Sequence, residues 1–284
     1  MKSKITGIKR SPLFSPNHID NDSLIIELTG KALQEKGLQI SYLNEDDCKE
    51  GVISDKFIFS MARRDLTLDY LEKLENRDVA VFNSVSGVRN CQRENMMNNF
   101  QRNGILAPKF ITVPTEDYNC AKDISCHFAS KKLWVKRDKH INHREDIVKI
   151  YSREEMENVL REFLRRDILR ACIMEHIEGD EIKFYAIPEA DYWHWYYVNG
   201  NNDNPLDLHI LKDQVFKCAD AFELDFYGGD AIVDKAGNIY FIDLNDWPSF
   251  APIRRVAAEK IADIIFNKMH KAIESNEVKV EKDI

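Results

Sequence analysis

Asp230, Asp243 and Asn245 stand near the carboxyl end, in GGDAIVDKAGNIYFIDLND, where two apolar runs flank a turn-like KAGN. If the runs are antiparallel strands joined by a four-residue loop, Lys235 to Asn238, closure pairs Asp234 with Ile239. Asp230 then falls opposite Asp243, and Gly228 opposite Asn245. Opposed residues point to one face with Cβ atoms about 4.5–5.5 Å apart, and residues two apart on a strand share that face. Three oxygen-bearing side chains thus converge at one strand end. Two carboxylates so close in an apolar ribbon repel each other and resist losing water, so either one takes a proton or a cation sits between them. Hard oxygen ligands favour Mg²⁺, which takes few protein oxygens and fills its shell with nucleotide phosphates. The same residues also suit a simpler arrangement, with Asp243 and Asn245 as turn and cap residues before the next helix and Asp230 facing water.

Other residues suit a nucleotide. Lys136 ends the strand-like LWVK, where it could meet phosphate as a point charge or simply snorkel from a sheet edge. Arg137, Lys139, His140, His143 and Arg144 follow within one loop, as a lid over polyphosphate or as a solvated charge run. In IMEHIEGDEIKFY an apolar run ends at Glu175, His176 and Ile177, turns at Gly179, and resumes with Glu181, Ile182 and Lys183. Such a strand–turn–strand offers an apolar wall for a base and a carboxylate for ribose hydroxyls; its acids could equally be surface charges.

The elements that must hold these groups are legible in outline. NDSLIIELTGKALQEKG puts Ile25, Leu28, Ala32 and Leu33 on one helical face, and Gly37 suits the helix end. LQISYL, KFIFSMA and VAVFNS read as strands, with a helix over DLTLDYLEKLENR. This alternation predicts a parallel α/β lobe whose ligand-holding loops leave the strands' carboxyl ends. Those loops are SPLFSPNHIDND, MARRD and NSVSGVRN; they carry Asn17, His18, Asp20, Asp22, Arg63, Arg64 and Arg89, and the arginines could grip an anionic substrate. Gly104 and Pro108 mark a break. Beyond it KKLWVKR, IVKIY, ACIMEHIEG, EIKFYAIP and DYWHWYYVN read as strands, the last placing Trp193, Trp195, Tyr196 and Tyr197 mainly in sheet core. Ser152 and Glu155 sit at capping-box spacing before a helix that buries Met156, Val159, Leu160, Phe163 and Leu164. A helix over LDLHILKDQVFKCADAFEL leads into the hairpin, and APIRRVAAEKIADIIFNKMHKAIES forms a long closing helix before a loose tail.

At 284 residues the chain suits two or three lobes, and its 44% hydrophobic and 31% charged content is that of a soluble globular protein. A net charge of −8 argues against nonspecific nucleic-acid binding. Six cysteines without zinc-like spacing, no signal peptide and no membrane-length apolar run lead us to expect reduced thiols, a cytoplasmic location, and neither membrane nor nucleic-acid partners.

From about Val79 to Ala272 the order and spacing of GILAPKF, LWVKR, IMEHIEGDEIKFY and GGDAIVDKAGNIYFIDLND resemble the ATP-grasp superfamily, in particular ribosomal-protein glutamate ligases and, more distantly, inositol-phosphate kinases. The resemblance implies an α/β and α+β fold: a parallel α/β lobe (1–103), then a lid-bearing lobe (104–178) and a carboxyl-terminal lobe (179–275) that enclose ATP, with a tail (276–284). It implies ATP and Mg²⁺ as cofactors, held through Arg93, Lys136, Glu175, His176, Ile177, Glu181 and Lys183, with metal ligands Asp230, Asp243 and Asn245 and catalytic cations Lys183 and Arg144. The chain departs from the family pattern in three places: its lid lacks glycine, Gln92-Arg93 replaces Asp-Lys, and Asp243-x-Asn245 replaces Glu-x-Asn. The expected reaction joins a carboxylate to an amine through an acyl phosphate, on a small-molecule or peptide acceptor. The alternatives are a kinase of a small hydroxylated or phosphorylated substrate and a non-catalytic ATP-binding module. A homo-oligomer is a reasonable default.

Overall fold

A computed structural model describes residues 3–14, 19–120, 124, 127–128, 130–139, 143–199 and 202–282. Its strands form three four-stranded sheets. The first contains β1 (Lys4–Lys9), β2 (Gln39–Asn44), β3 (Phe57–Ser60) and β4 (Ala80–Phe82) in the order β2-β1-β3-β4, all parallel. Helices α1 (Ile19–Glu35) and α2 (Asp65–Glu75) make crossovers, and the short α3 (Val85–Asn90) and α4 (Arg93–Arg102) lead out of this lobe. The apolar face expected for α1 is the one it buries: Ile25 and Leu33 are inaccessible, with Leu28 and Ala32 beside them. Gly37 beyond its end has φ +92°, where a side chain would be strained. Sequence reading missed β1, because KITGIK is a short run closed at each end by a lysine, Lys4 and Lys9, with its buried part confined to Ile5 to Ile8.

The second sheet, antiparallel throughout, contains β5 (Phe110–Pro114), β6 (Leu133–Arg137), β7 (Ile147–Ile150) and β8 (Arg170–Glu175) in the order β5-β8-β6-β7. Helix α5 (Arg153–Arg165) covers one face; Leu133, Val135, Ala171 and Ile173 point into that core with Met156, Leu160 and Phe163. Ser152 accepts the Glu155 amide as a cap should, while the Glu155 carboxylate takes the Tyr151 amide, one residue earlier than a standard capping box. The sequence marks only a break at Gly104 and Pro108 here; β5 is an edge strand, where a closing proline costs no ladder bond.

The third sheet contains β9 (Asp180–Ile187), β10 (Tyr192–Asn199), β11 (Tyr227–Val233) and β12 (Ile239–Asn245) in the order β10-β9-β11-β12, again antiparallel. It lies between α6 (Leu208–Phe222) and α7 (Arg254–Lys282). Ile182, Phe184 and Ala186 pack toward α6 and α4, while Tyr185 and Ile187 face the other way, into a core shared with α7, α1 and the first sheet. The aromatic strand β10 is a sheet edge, so its rings are half-buried rather than enclosed in core as expected. α7 also continues as helix through residues 276–282, which had been expected as a loose tail. No helix of the described residues is long and apolar enough to cross a membrane.

Candidate active site

The hairpin β11–β12 carries the acids, and it reaches the expected pairing by an unexpected route. The loop is shorter than the predicted Lys235–Asn238: Asp234 and Asn238 pair directly, with Gly237 at φ +83°. Val233 rather than Asp234 therefore lies opposite Ile239. A bulge between Asp230 and Ala231, with Ile242 the extra residue on β12, then shifts the register back by one. Asp230 faces Asp243 and Gly228 faces Asn245.

The third sheet extends this pair into a row. Asp230 is also the partner of Lys183 on β9, so Lys183, Asp230 and Asp243 lie side by side across three strands. Lys183 Nζ donates to Asp230 Oδ1 at 2.7 Å. Arg93, buried at the start of α4, donates through Nη1 to Asp243 Oδ1 at 2.9 Å. Asn245 Nδ2 donates to Asp243 Oδ2 at 3.2 Å, and Arg63 Nη2 reaches Asn245 Oδ1 at 3.4 Å and Asp246 Oδ1 at 2.8 Å. Burial pushes the Asp230 carboxyl above the usual carboxylate range, with Asp243 adding to the rise and Lys183 opposing it. Burial also pushes Asp243 up, but Arg93, Lys136 and Lys183 outweigh it and hold that carboxyl below the usual range. Lys183 loses by burial and gains more from Asp230, so it is held above its ordinary value. The two acids are thus driven apart in acidity.

Opposite this row stands the face of the second sheet turned away from α5. Alternation puts Trp134 and Lys136 of β6 and Met174 of β8 there, and β7 contributes Ile147. The two sheet faces enclose a cavity of about 340 Å³. Its polar lining includes Arg93, Lys136, Glu175, His176, Glu181, Asp230 and Asp243, and Ile177 joins its apolar wall. Lys136 is buried, and burial together with Arg93 lowers its pKa to about 8. The connection between the sheets passes through Gly179, where a Cβ would come within 2.1 Å of the Val233 carbonyl oxygen; only glycine permits so close a crossing. The amides of Glu175 and His176 donate to the carbonyls of Lys109 and Lys132, so neither remains for a base. His176 accepts the Trp134 indole N–H at 3.1 Å through Nδ1, and its Nε2 lies 2.9 Å from Lys149 Nζ. Burial and Lys149 lower the imidazole pKa, so the ring is neutral near pH 7.

Of the expected set, Lys183 and Asn245 touch this site through Asp230 and Asp243 rather than lining the cavity. Asn245 instead lines a smaller cavity of about 60 Å³ beside it, with Arg63, Cys91, Arg93, Lys139 and Asp243. Arg144 is not brought in. Its short helical turn is pinned by the buried Asp146, which accepts the His143 amide and pairs with Arg166, and Arg144 is left exposed. His140 of the same loop lies outside the described residues, as do Asn17 and His18. Asp22 pairs with Arg10, and Arg89 with Asp69 and Glu72 on the surface. Trp134 was missed, although standing two residues before Lys136 put it on the same strand face. Among the described residues no group of three or more His, Cys, Asp or Glu side chains is arranged to hold a metal ion, and Cys48, Cys91, Cys172 and Cys218 are free thiols.

No family model matches the chain, and no curated protein matches it. Solved structures do match it in fold. D-alanine–D-alanine ligase from Bacillus anthracis complexed with ATP is 15% identical with a TM-score of 0.70, over 96% of this chain and 99% of that one. VanG D-Ala:D-Ser ligase from Enterococcus faecalis is 13% identical with a TM-score of 0.71, over 94% and 99%. The ATP-grasp ligase PsnB, complexed with a precursor peptide and AMPPNP, is 14% identical with a TM-score of 0.63, over 94% and 97%. The parallel sheet followed by two antiparallel sheets is the ATP-grasp architecture.

Proposed function

Given that architecture, we propose that the protein is an ATP- and Mg²⁺-dependent ligase that joins a carboxylate to an amine through an acyl phosphate. The observation that carries this reading is the pair Asp230 and Asp243, tied to Lys183 and Arg93, facing Lys136 across one cavity. The cavity has the two ends a nucleotide needs. Trp134, Met174, Ile147 and Ile177 supply an apolar slot for a base, with Glu175 and Glu181 at its rim; Lys136, Arg93 and the carboxylate row form the charged end.

The donor set fits Mg²⁺. Asp230 and Asp243 face each other across the ladder, the Asn245 amide touches Asp243, and all three are the hard oxygen donors that ion prefers. Asp230, Asp243 and Asn245 would hold the metal, which supplies Lewis-acid polarisation of phosphate when bound. Arg93 and Lys183, which hold the carboxylates in this structure, are also the cations that a polyphosphate would engage.

In the ligase reading an acceptor carboxylate oxygen attacks the γ-phosphorus and ADP leaves. The amine nitrogen then attacks the acyl carbon, phosphate departs, and the nitrogen loses a proton. The chain's own part is positioning and charge: Lys136 and Lys183 offset charge on the transferring phosphoryl group, and closed sheet faces exclude water that would hydrolyse the acyl phosphate. The test is substrate dependence. Inorganic phosphate should be released from ATP only when acid and amine are both supplied. ADP without free phosphate would point to a kinase, and ATP-induced stabilisation with no ADP from any substrate pool would point to a binding module.

A further inference from the structure

A second and larger cavity, of about 570 Å³, lies where the carboxyl ends of the first sheet meet the second sheet. Five cations line it: Arg63, Arg64, Arg137, Lys139 and Arg170. Only three acids do so, Asp65, Asp138 and Asp167, leaving the lining two charges positive in a chain whose net charge is −8. Four of the five cations are arginines, whose planar forks match carboxylates two bonds at a time.

Two kinds of cation are present, and Arg137, 3.6 Å from buried Asp146, belongs with Arg63 in the fixed kind. Arg63 is fixed. Its guanidinium is held by buried Asp246 at 2.8 Å and its Nε is buried without a partner. Its backbone amide and that of Arg64 both donate to Glu45, whose other oxygen takes the Ser11 amide; one buried carboxylate thus welds the loops after β1 and β3. Arg64, Lys139 and Arg170 are exchangeable. Arg64 and Lys139 are paired to the exposed acids Asp46 and Asp65, and Arg170 to Glu94 with the largely buried Asp138 3.7 Å from its Nε; exposed pairs hold little free energy. A ligand carboxylate can take their place.

The cavity also borders the carboxylate row. Arg63 and Lys139 line both it and the 60 Å³ cavity that contains Arg93, Asp243 and Asn245. We infer that this cavity is the acceptor site and that it selects an acid carrying at least one carboxylate besides the one phosphorylated. The inference rests on the ligase reading for the fate of the first carboxylate; recognition of the second rests on the basic lining alone.

Binding and chemistry test it separately. In the binding arm, glutarate, glutaramate, butyrate and inorganic phosphate are titrated calorimetrically into the protein saturated with AMPPNP and Mg²⁺. Glutarate should bind at least tenfold more tightly than glutaramate and butyrate. Arg64→Gln combined with Arg170→Gln should remove that preference while AMPPNP still raises the melting temperature, which shows the variant is folded. Glutarate no tighter than its monoamide, tighter binding of phosphate than of glutarate, or no effect of the double variant would each overturn the inference. In the chemical arm, hydroxylamine replaces the amine: the acid's oxygen displaces ADP from phosphorus, then the hydroxylamine nitrogen displaces phosphate and loses a proton, leaving a hydroxamate. Dicarboxylates should give hydroxamate at least tenfold faster than monocarboxylates. Equal rates would overturn the inference and leave the ligase standing; glutarate-selective binding without hydroxamate from any acid would overturn the ligase and leave the site's selectivity standing.

Discussion

Lys136 is the residue whose chemistry is most altered by where it sits. Burial and Arg93 bring its ammonium down to about 8 from 10.5. Above pH 8 the free protein has lost this proton, while a bound triphosphate would call it back. ATP affinity should therefore fall about tenfold per pH unit above 8, and Lys136→Arg, which keeps its charge, should flatten the fall; nucleotide titrations from pH 6.5 to 9.5 read both. Stability has the opposite sign. Because the unfolded chain holds that proton up to pH 10.5, the Lys136 contribution to stability rises between pH 8 and 10.5, against the fall contributed by the thiols Cys48, Cys91, Cys172 and Cys218, whose pKa values burial raises. The contribution is read as the difference between wild type and Lys136→Met in denaturation curves across that range. Asp243 has a different dual role, as proposed metal ligand and as partner of buried Arg93. Asp243→Ala should cost about 1–3 kcal/mol of stability by stranding that guanidinium. Asp243→Asn should keep most of the fold and raise the Mg²⁺ concentration needed for half-maximal phosphate release more than tenfold; an unchanged requirement would remove Asp243 from the metal site. The residues themselves were legible because acids in an apolar ribbon are anomalous. Their partners were not: Arg93 is 150 positions from Asp243 and Arg63 182 from Asn245, and nothing local links such pairs.

At the scale of elements, the β11–β12 hairpin shows why a correct pairing can rest on wrong geometry. Counting outward from an assumed four-residue loop gave Asp230 opposite Asp243, but the loop is tighter by a residue and the bulge at Ile242 returns it. A glycine in the left-handed region two residues before the second strand was the available signal for the tighter loop. The bulge left none, since Ile242 fits a buried strand as well as its neighbours do; it adds an apolar side chain to the cavity wall beside Asp243. Helices with a clear apolar stripe were legible, as were strands bounded by polar turns. β1 and β5 were not, being short, lysine- or proline-bearing segments whose strand character comes from what they pair with. Gly179 is the element-scale crossing that can be tested. Gly179→Ala drives a Cβ into the Val233 backbone, which cannot yield as a side-chain tip would. It should cost about 1–3 kcal/mol by overpacking and raise the KM for ATP more than the KM for the acceptor. Equal changes in the two constants would place the crossing outside the proposed nucleotide site.

Over the whole molecule, the cores do not follow the order of the lobes along the chain. The first sheet and the third share one core, in which Ile5, Ile25 and Phe59 meet Tyr185, Trp247, Phe250 and the α7 residues Ile261 and Ile265. The middle segment keeps a core of its own around Val135, Leu160, Phe163 and Ile173. It reaches the rest through few buried side chains, chiefly Cys172 and Met174 packed with Met96, Met97 and Phe100. Length suits two or three lobes and the resemblance implies three in succession; closure of the first onto the third by α7 against α1 was invisible, because the two helices are more than 200 positions apart. Cooperative units follow shared cores. Leu160→Ala and Ile261→Ala each empty a fully buried site and should each cost about 2–5 kcal/mol where they act. Hydrogen exchange should separate them. Leu160→Ala should speed exchange in β6, β7 and α5 while β1 and β11 keep their protection; Ile261→Ala should speed exchange in the first and third sheets together. If AMPPNP with Mg²⁺ binds as proposed in the cavity between second and third sheets, it should slow exchange in β6 and β8 and partly restore the Leu160→Ala protein. Uniform acceleration across all three sheets in either variant would mean a single cooperative unit, and the middle segment would then be unable to open and close over the nucleotide independently of the rest.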